Sequence, residues 1–421
     1  MKCVLVSYGS RGDVEPAVAV GCELVRRGHD IHIVVPPDLV GFAETAGLSA
    51  TGCGIDARQW VSMCVEHSRQ SFRPWRIPGR IRSAREVAAA AAESWASITS
   101  TLMSLAGDAD LLITGSCFEG AAANVAEYHG IPLTTLHYLP LRPNGQLLAL
   151  RPRSIGRTAM ATYEWLSWRS SRKLEDAQRR ELGLPKTTGP VSRRITARGS
   201  LEIQAYDEAC FPGLRDEWTR FDGQRPFVGT MTLEFPTDAD EEVASWIAAG
   251  TPPVFFSFGS LPVDSAAEAL AMIGSACAEI GERALVCSAA SDFADAPHME
   301  HVKVVRAVNY AAIFPLCRAV VHHGGSGTTA AGLRAGVPTL MLLMGPAQIY
   351  SGVRPERLGV GVTRPFSKTT ERSLVADLRR VLDPQCVARA RDIATRMTKP
   401  ADSVAAAADR VEVFARQTRV G

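Results

Sequence analysis

Val320-Val321-His322-His323-Gly324-Gly325-Ser326-Gly327-Thr328-Thr329 decides the fold. An apolar run ends in a glycine turn, and a polar stretch then opens a helix. Glycines let an anion approach the backbone, and a helix start presents unpaired N–H groups and a positive dipole end. The stretch therefore predicts a strand–turn–helix unit that holds the diphosphate of an activated metabolite. Its expected contacts are His323, Gly325, Ser326, Gly327 and Thr328. Ser326 and Thr328 offer hydroxyls to phosphate or simply cap the helix. The plain alternative for His323 is a core histidine that steadies the turn. His322 ends the strand and is expected to point into the packing.

Outward from this unit, the second half of the chain reads as strands at 254–257, 284–287, 302–305, 319–322 and 339–344, with helices at 266–280 and 328–335. The first half has the same grammar. Strands are expected at 3–7, 31–35 and 111–114. Residues 8–15 read as a loop, Pro16 as the first turn of a helix to Arg27, and Gly28 as its left-handed cap. Alternating strands and helices predict parallel sheets covered on both faces. The expectation is an α/β chain of two Rossmann-like, doubly wound domains, 1–220 and 241–400. A linker at 221–240 joins them, and a terminal helix at 401–421 packs back on the first domain. Ligands bind beyond the carboxyl ends of such strands. The site is accordingly expected in a cleft, with the loop at Asp13 opposite the loop at His323.

That first loop reads Ser7-Tyr8-Gly9-Ser10-Arg11-Gly12-Asp13-Val14-Glu15-Pro16. Asp13 is either a helix cap or a general base at the mouth of the cleft. Phe258-Gly259-Ser260 follows the strand at 254–257 and stands in the matching place. Gly259 and Ser260 either touch the same diphosphate or form a plain turn. Asp108-Ala109-Asp110 has the spacing of a metal-binding acidic pair, but it precedes its strand and lies at the wrong end of the sheet. Asp238-Ala239-Asp240 falls in the linker. No metal site is read from either. There is no GxxxxGK[ST] phosphate loop and no GxSxG nucleophile elbow.

With 421 residues, 46% hydrophobic and 21% charged, the chain is long enough for two cores and too apolar for wholesale disorder. A net charge of +2 points to no nucleic-acid partner. The ten cysteines form no CxxC and suit a reducing, cytoplasmic compartment. No signal peptide or membrane span is read. Arg69, Arg73, Arg76, Arg80, Arg82 and Arg85 are interleaved with Phe72, Trp75, Ile77 and Ile81. A second basic, aromatic stretch carries Arg151, Arg153, Arg157, Trp165, Trp168, Arg169, Arg172 and Lys173. Each is either a solvated face or a surface that meets an amphiphilic acceptor or makes peripheral contact with an anionic membrane, at the inner face of the plasma membrane.

Taken together, Ser10-Arg11-Gly12-Asp13-Val14-Glu15-Pro16 and His322-His323-Gly324-Gly325-Ser326-Gly327-Thr328 resemble the signatures of GT-B-fold nucleotide-sugar glycosyltransferases, in the group that serves glycopeptide and macrolide antibiotics. Gly199-Ser200-Leu201-Glu202-Ile203-Gln204-Ala205-Tyr206 and His301-Val302-Lys303-Val304-Val305-Arg306 are similar to mycobacterial members that decorate glycopeptidolipids. The resemblance implies Asp13 as catalytic base. It also implies Ser10, Arg11 and Gly12 as a facing loop, His323 with Ser326, Gly327 and Thr328 around the donor diphosphate, and Val308 at the nucleobase. The implied reaction is inverting and metal-independent. It uses a UDP or dTDP sugar as co-substrate, no cofactor, and a small-molecule, lipid or lipopeptide acceptor. The family's Asp-Gln pair, which grips donor-sugar hydroxyls, reads Ala347-Gln348 here, and Ser351 stands where relatives often carry tryptophan. A lost carboxylate removes a charge-assisted hydrogen bond worth about 1.5–3 kcal/mol, which implies either a sugar gripped differently, such as a deoxysugar, or weak or lost activity. The alternatives that the same fold allows are a nucleotide-sugar epimerase and a non-catalytic nucleotide-sugar binder.

Overall fold

The computed structural model describes residues 1–71, 77–148, 150, 152–259, 265–288, 298–344 and 353–420. The chain divides into two compact units. One comprises Met1–Thr232 with Lys399–Gly421, and the other Leu233–Thr398.

The first unit holds a six-stranded parallel sheet: β1 (Lys2–Val6), β2 (Asp30–Val35), β3 (Ser49–Gly52), β4 (Leu111–Thr114), β5 (Leu133–His137) and β6 (Leu201–Gln204). Their spatial order is β3-β2-β1-β4-β5-β6. The second unit repeats the plan with β7 (Val254–Ser257), β8 (Ala284–Cys287), β9 (Val302–Val305), β10 (Ala319–His322), β11 (Thr339–Leu343) and β12 (Gly361–Pro365), ordered β12-β11-β10-β7-β8-β9. Both are the doubly wound order, and each reverses direction between its first and fourth strands, at β1/β4 and at β7/β10. A crevice opens at that point because the neighbouring crossovers leave to opposite faces.

Helices cover both faces of each sheet, so the central strands are apolar on both sides. The second to fifth residues of β1 and all of β4, β7 and β10 are buried. In the first unit Val4, Val6, Leu112 and Ala122 pack with Ile98 and Leu102. In the second, Phe256, Val286 and Val321 face one layer, and Phe255, Leu285 and Val320 the other.

The first helix corrects the sequence expectation. It runs Arg11–Arg26, so it starts five residues before Pro16 and carries that proline inside. Ser10 is the N-cap, and Asp13, three residues on, reaches back to it. That reciprocal cap fixes the helix start at Ser10, and the proline inside leaves the Gly12 carbonyl without its helical donor. Strands β3, β5, β6 and β12 were not expected either. Helix Pro400–Val420 belongs to the first unit. It buries Ala407, Ala408, Val411 and Ala415, while Arg27 pairs with Asp409 at 2.6 Å and His29 with Glu412 at 2.8 Å. None of the helices is long and apolar enough to cross a membrane, among the described residues.

Candidate active site

At the β1/β4 reversal of the first unit, Ser7-Tyr8-Gly9-Ser10 leaves β1 and enters the first helix. Oδ2 of Asp13 accepts the Ser10 backbone N–H at 2.6 Å and the Ser10 hydroxyl at 2.8 Å. The Ser7 hydroxyl donates to the Asp13 carbonyl at 2.9 Å. Gly9 sits at φ +129°, and a Cβ there would lie 2.4 Å from Asp13 Oδ2, so only glycine leaves the carboxylate its place. Burial pushes the Asp13 carboxyl above its ordinary range, and the Tyr138 phenol and the Ser10 donors oppose that rise. Burial and the neighbouring Asp13 charge push the Tyr138 phenol well up, so it keeps its proton as a donor. Asp13 is therefore part of the helix cap by geometry, with its carboxyl held above the ordinary range by burial.

The loop after β4 borders the same point. Phe118 has φ 56°, the one non-glycine residue with positive φ among those described. Its ring lies 5.0 Å from Tyr8 and 5.4 Å from Trp60, edge-on to the former and tilted to the latter. Strained backbone of this kind persists only where its surroundings over-determine it. Here the next residue, Glu119, is held by Arg142 through two bonds of 2.7 and 3.0 Å, and by His137 at 3.2 Å. Arg142 also binds Glu202, which takes a further bond from Thr196 at 2.7 Å. Glu119, His137, Arg142 and Glu202 are all buried.

In the second unit, the loops after β7 and β10 converge on His323. A Cβ on Gly259 would fall 2.4 Å from its Cε1, and one on Gly325 would fall 2.7 Å from its Nε2. The imidazole thus occupies a slot that two glycines create. Burial lowers its pKa to about 4, so the ring is neutral at pH 7. Its Nδ1 is buried without a hydrogen-bond partner among the described residues. His322 differs. Its Nδ1 accepts the Gly324 N–H at 3.0 Å, so the proton is on Nε2, which donates to Thr339 at 2.9 Å. The Thr339 hydroxyl in turn donates to the Val320 carbonyl at 3.2 Å. His322 is a satisfied structural residue, as its sequence position indicated.

Helix Ser326–Arg334 starts beside His323, with Gly325 as N-cap and Ser326, Gly327 and Thr328 in its first turn. The N–H groups of that turn have no intrahelical acceptor. Val308 is buried, and the Asn309 N–H that follows it donates to Asp240 at 2.8 Å. Asp240 also accepts from the Thr237 N–H at 2.7 Å and its hydroxyl at 2.8 Å. Burial alone would raise the Asp240 carboxyl, but these donors outweigh it and hold the group below its ordinary range. Asp240 is thus no inert linker residue. It opens helix Asp240–Ala248 and anchors the segment at Val308.

Arg11 and Gly12 are exposed in the first helical turn, and the Arg11 guanidinium lies 4.6 Å over the Phe42 ring of its own unit. Ser260, Ala347, Gln348 and Ser351 lie outside the described residues. Asp108 pairs with the Lys2 ammonium at 2.6 Å, and Asp110 accepts the Lys2 N–H at 2.8 Å, at the amino end of β4. Among the described residues no three His, Cys, Asp or Glu side chains gather into a metal-binding group. Sequence reading missed Tyr138 and set Asp240 aside as part of the linker. Tyr138 directly follows β5, so recognising 133–137 as a strand places it at the ligand-binding end.

The chain matches the Glycosyltransferase family 28 N-terminal domain over residues 3–144 and the Erythromycin biosynthesis protein CIII-like C-terminal domain over 269–413. An uncharacterized glycosyltransferase of Mycobacterium tuberculosis is 54% identical over 100% of both chains. The chain belongs to the glycosyltransferases. Glycosyltransferase GtfE of Amycolatopsis orientalis is 28% identical over 97% of this chain and 96% of its own. Among solved structures, glycosyltransferase VinC in complex with dTDP superposes with TM-score 0.66 at 19% identity, covering 99% of this chain and 100% of that one. The fold of this glycosyltransferase is GT-B, and its glycine turn lies in the second unit.

Replacing Gly259 in this enzyme tests the slot. Gly259→Ala introduces a Cβ into the imidazole and an L side chain at φ +62°. We expect affinity for UDP or dTDP, measured by calorimetry, to fall about tenfold or more, the equivalent of about 1.4 kcal/mol.

Proposed function

We propose that this glycosyltransferase moves a sugar from a nucleoside-diphosphate donor to a hydroxyl of a lipid, lipopeptide or natural-product acceptor, with inversion and without a metal. One observation carries the reading. Each sheet bears complementary chemistry at its own reversal point: a carboxylate with raised pKa in the first unit, and a neutral imidazole beside an open helix start in the second.

In this mechanism Asp13 takes the proton of the acceptor hydroxyl as its oxygen attacks the anomeric carbon from the face opposite the diphosphate. One bond forms as the other breaks, so configuration inverts. The departing diphosphate gains charge. The first-turn N–H groups after Gly325 stabilise it where charge develops, and an Nδ1–H of His323 supplies a further donor. A single preorganised donor of this kind accounts for about 2.7–4 kcal/mol of barrier in comparable sites, which supports a reaction that needs no bound cation. The replacement of aspartate by Ala347 supports a donor sugar that lacks a hydroxyl.

The test is a thermal-shift panel of nucleotides and nucleotide sugars, followed by mass spectrometry of mixtures with lipid and natural-product acceptors. A glycosylated product of inverted anomeric configuration is expected. An isomerised donor with no acceptor present would replace transfer with epimerisation.

Tyr138→Phe probes the base. Loss of the phenol removes a donor that favours the ionised carboxylate, so the Asp13 pKa rises further. The acidic limb of the kcat/KM profile is expected to move to higher pH, while the plateau at high pH changes less.

A further inference from the structure

Helix Arg153–Glu181 is 29 residues long, and much of it faces solvent. Among polar neighbours its exposed side carries large apolar residues. Tyr163 is 60% exposed, Leu166 54%, Ile155 50% and Trp165 41%. Ile155, Tyr163 and Leu166 are spaced by eight and three residues and share one stripe. The stripe continues toward the C-terminal half with exposed Arg169 and Lys173. The Arg169 guanidinium lies 5.1 Å over the Trp165 ring, a cation resting on an aromatic rim. Of the acids near these cations, Asp176 is partly buried and pairs with Arg172 at 3.3 Å. Glu164 turns to the Ser192 hydroxyl at 2.6 Å, and Glu175 is buried against Arg194 at 3.0 Å.

Large exposed apolar side chains that share a stripe mark an interaction surface. Bordering cations select an anionic partner, and an aromatic ring beside an arginine suits the boundary between headgroups and acyl chains. We propose that this helix face docks the enzyme on an anionic lipid bilayer, with Ile155, Tyr163 and Leu166 inserted at the interface and Arg169 and Lys173 among the headgroups. The proposal does not depend on the sugar-transfer reading, since it uses none of those residues.

The full chain is floated with phosphatidylcholine vesicles that contain about 30 mol% phosphatidylglycerol, at low salt and again near 0.5 M salt. Retention at low salt is expected, with a loss of about tenfold or more in high salt or without phosphatidylglycerol. The pair Tyr163→Ser with Leu166→Ser, and separately Arg169→Gln with Lys173→Gln, should each lower retention about tenfold. Circular dichroism and thermal midpoint should stay at the parent values, because these positions are exposed. No retention of the parent at low salt overturns the proposal, as does unchanged retention of both variants. If either variant instead converts a dimer to a monomer in sedimentation while lipid retention is unchanged, the face pairs two copies and the lipid proposal falls.

Discussion

Asp13→Asn is expected to cut turnover by about 100-fold or more, the scale of general-base catalysis, and to leave donor affinity nearly unchanged. The separation of effects follows from placement. Asp13 belongs to the first unit, where its carboxylate answers to Ser10 and Tyr138, whereas the helix start beside His323 belongs to the second. Asparagine keeps an oxygen for the Ser10 N–H, so the helix cap survives and the fold should be intact. What is lost is a group able to accept the acceptor proton. Steady-state kinetics with calorimetric titration of the nucleotide decide the matter. Transfer by the variant at the parent rate would remove Asp13 as the base, and a matching loss of nucleotide affinity would make its role structural.

Glu202→Ala should destabilise the first unit by about 3–5 kcal/mol, the range for breaking a buried ion pair. Glu202 is fully buried between Arg142 and Arg225, both of them buried cations. Its removal leaves Arg225 without a carboxylate and Arg142 with Glu119 alone. Glu202→Gln keeps one acceptor oxygen, for Arg142 or for Thr196 and Arg225 but not for both sides, and should cost less than alanine. Denaturant unfolding of the three proteins measures both. The network also sets an acid limit. Burial would raise the Glu119 carboxyl, but the Arg142 charge and His137 outweigh it and bring it from 4.5 to about 2. A depressed carboxyl stabilises the folded state above its unfolded value, so this contribution is complete above about pH 4.5 and fades as pH falls toward 2. The consequence reaches the site, because Glu119 fixes the loop that holds Phe118 at positive φ.

Central strands were legible because parallel sheets bury both faces, and runs such as Val4-Leu5-Val6 or Val320-Val321 allow no other reading. The glycine turn was legible for a similar reason, since few other uses call for Gly324, Gly325 and Gly327 at the end of a strand. The strands that escaped carry polar residues whose partners lie far along the chain. In β6, Glu202 and Gln204 look like a solvent face, yet both are fully buried against Arg142 and His137. The start of the first helix escaped because Pro16 is the louder signal, while the Ser10–Asp13 cap is a pair of short polar contacts. The slot around His323 depends on the β7–β10 register that sets Ser257 beside His322, a pairing across 65 positions that no local pattern encodes.

The first unit is written in two pieces, with the whole of the second unit inserted between Thr232 and Lys399. During synthesis, the nascent first sheet therefore waits for its last covering layer until residues 400–420 leave the ribosome, after the second unit is already complete. Until then Arg27 and His29 lack Asp409 and Glu412, and the apolar side of the first helix that these residues border stands open to chaperones.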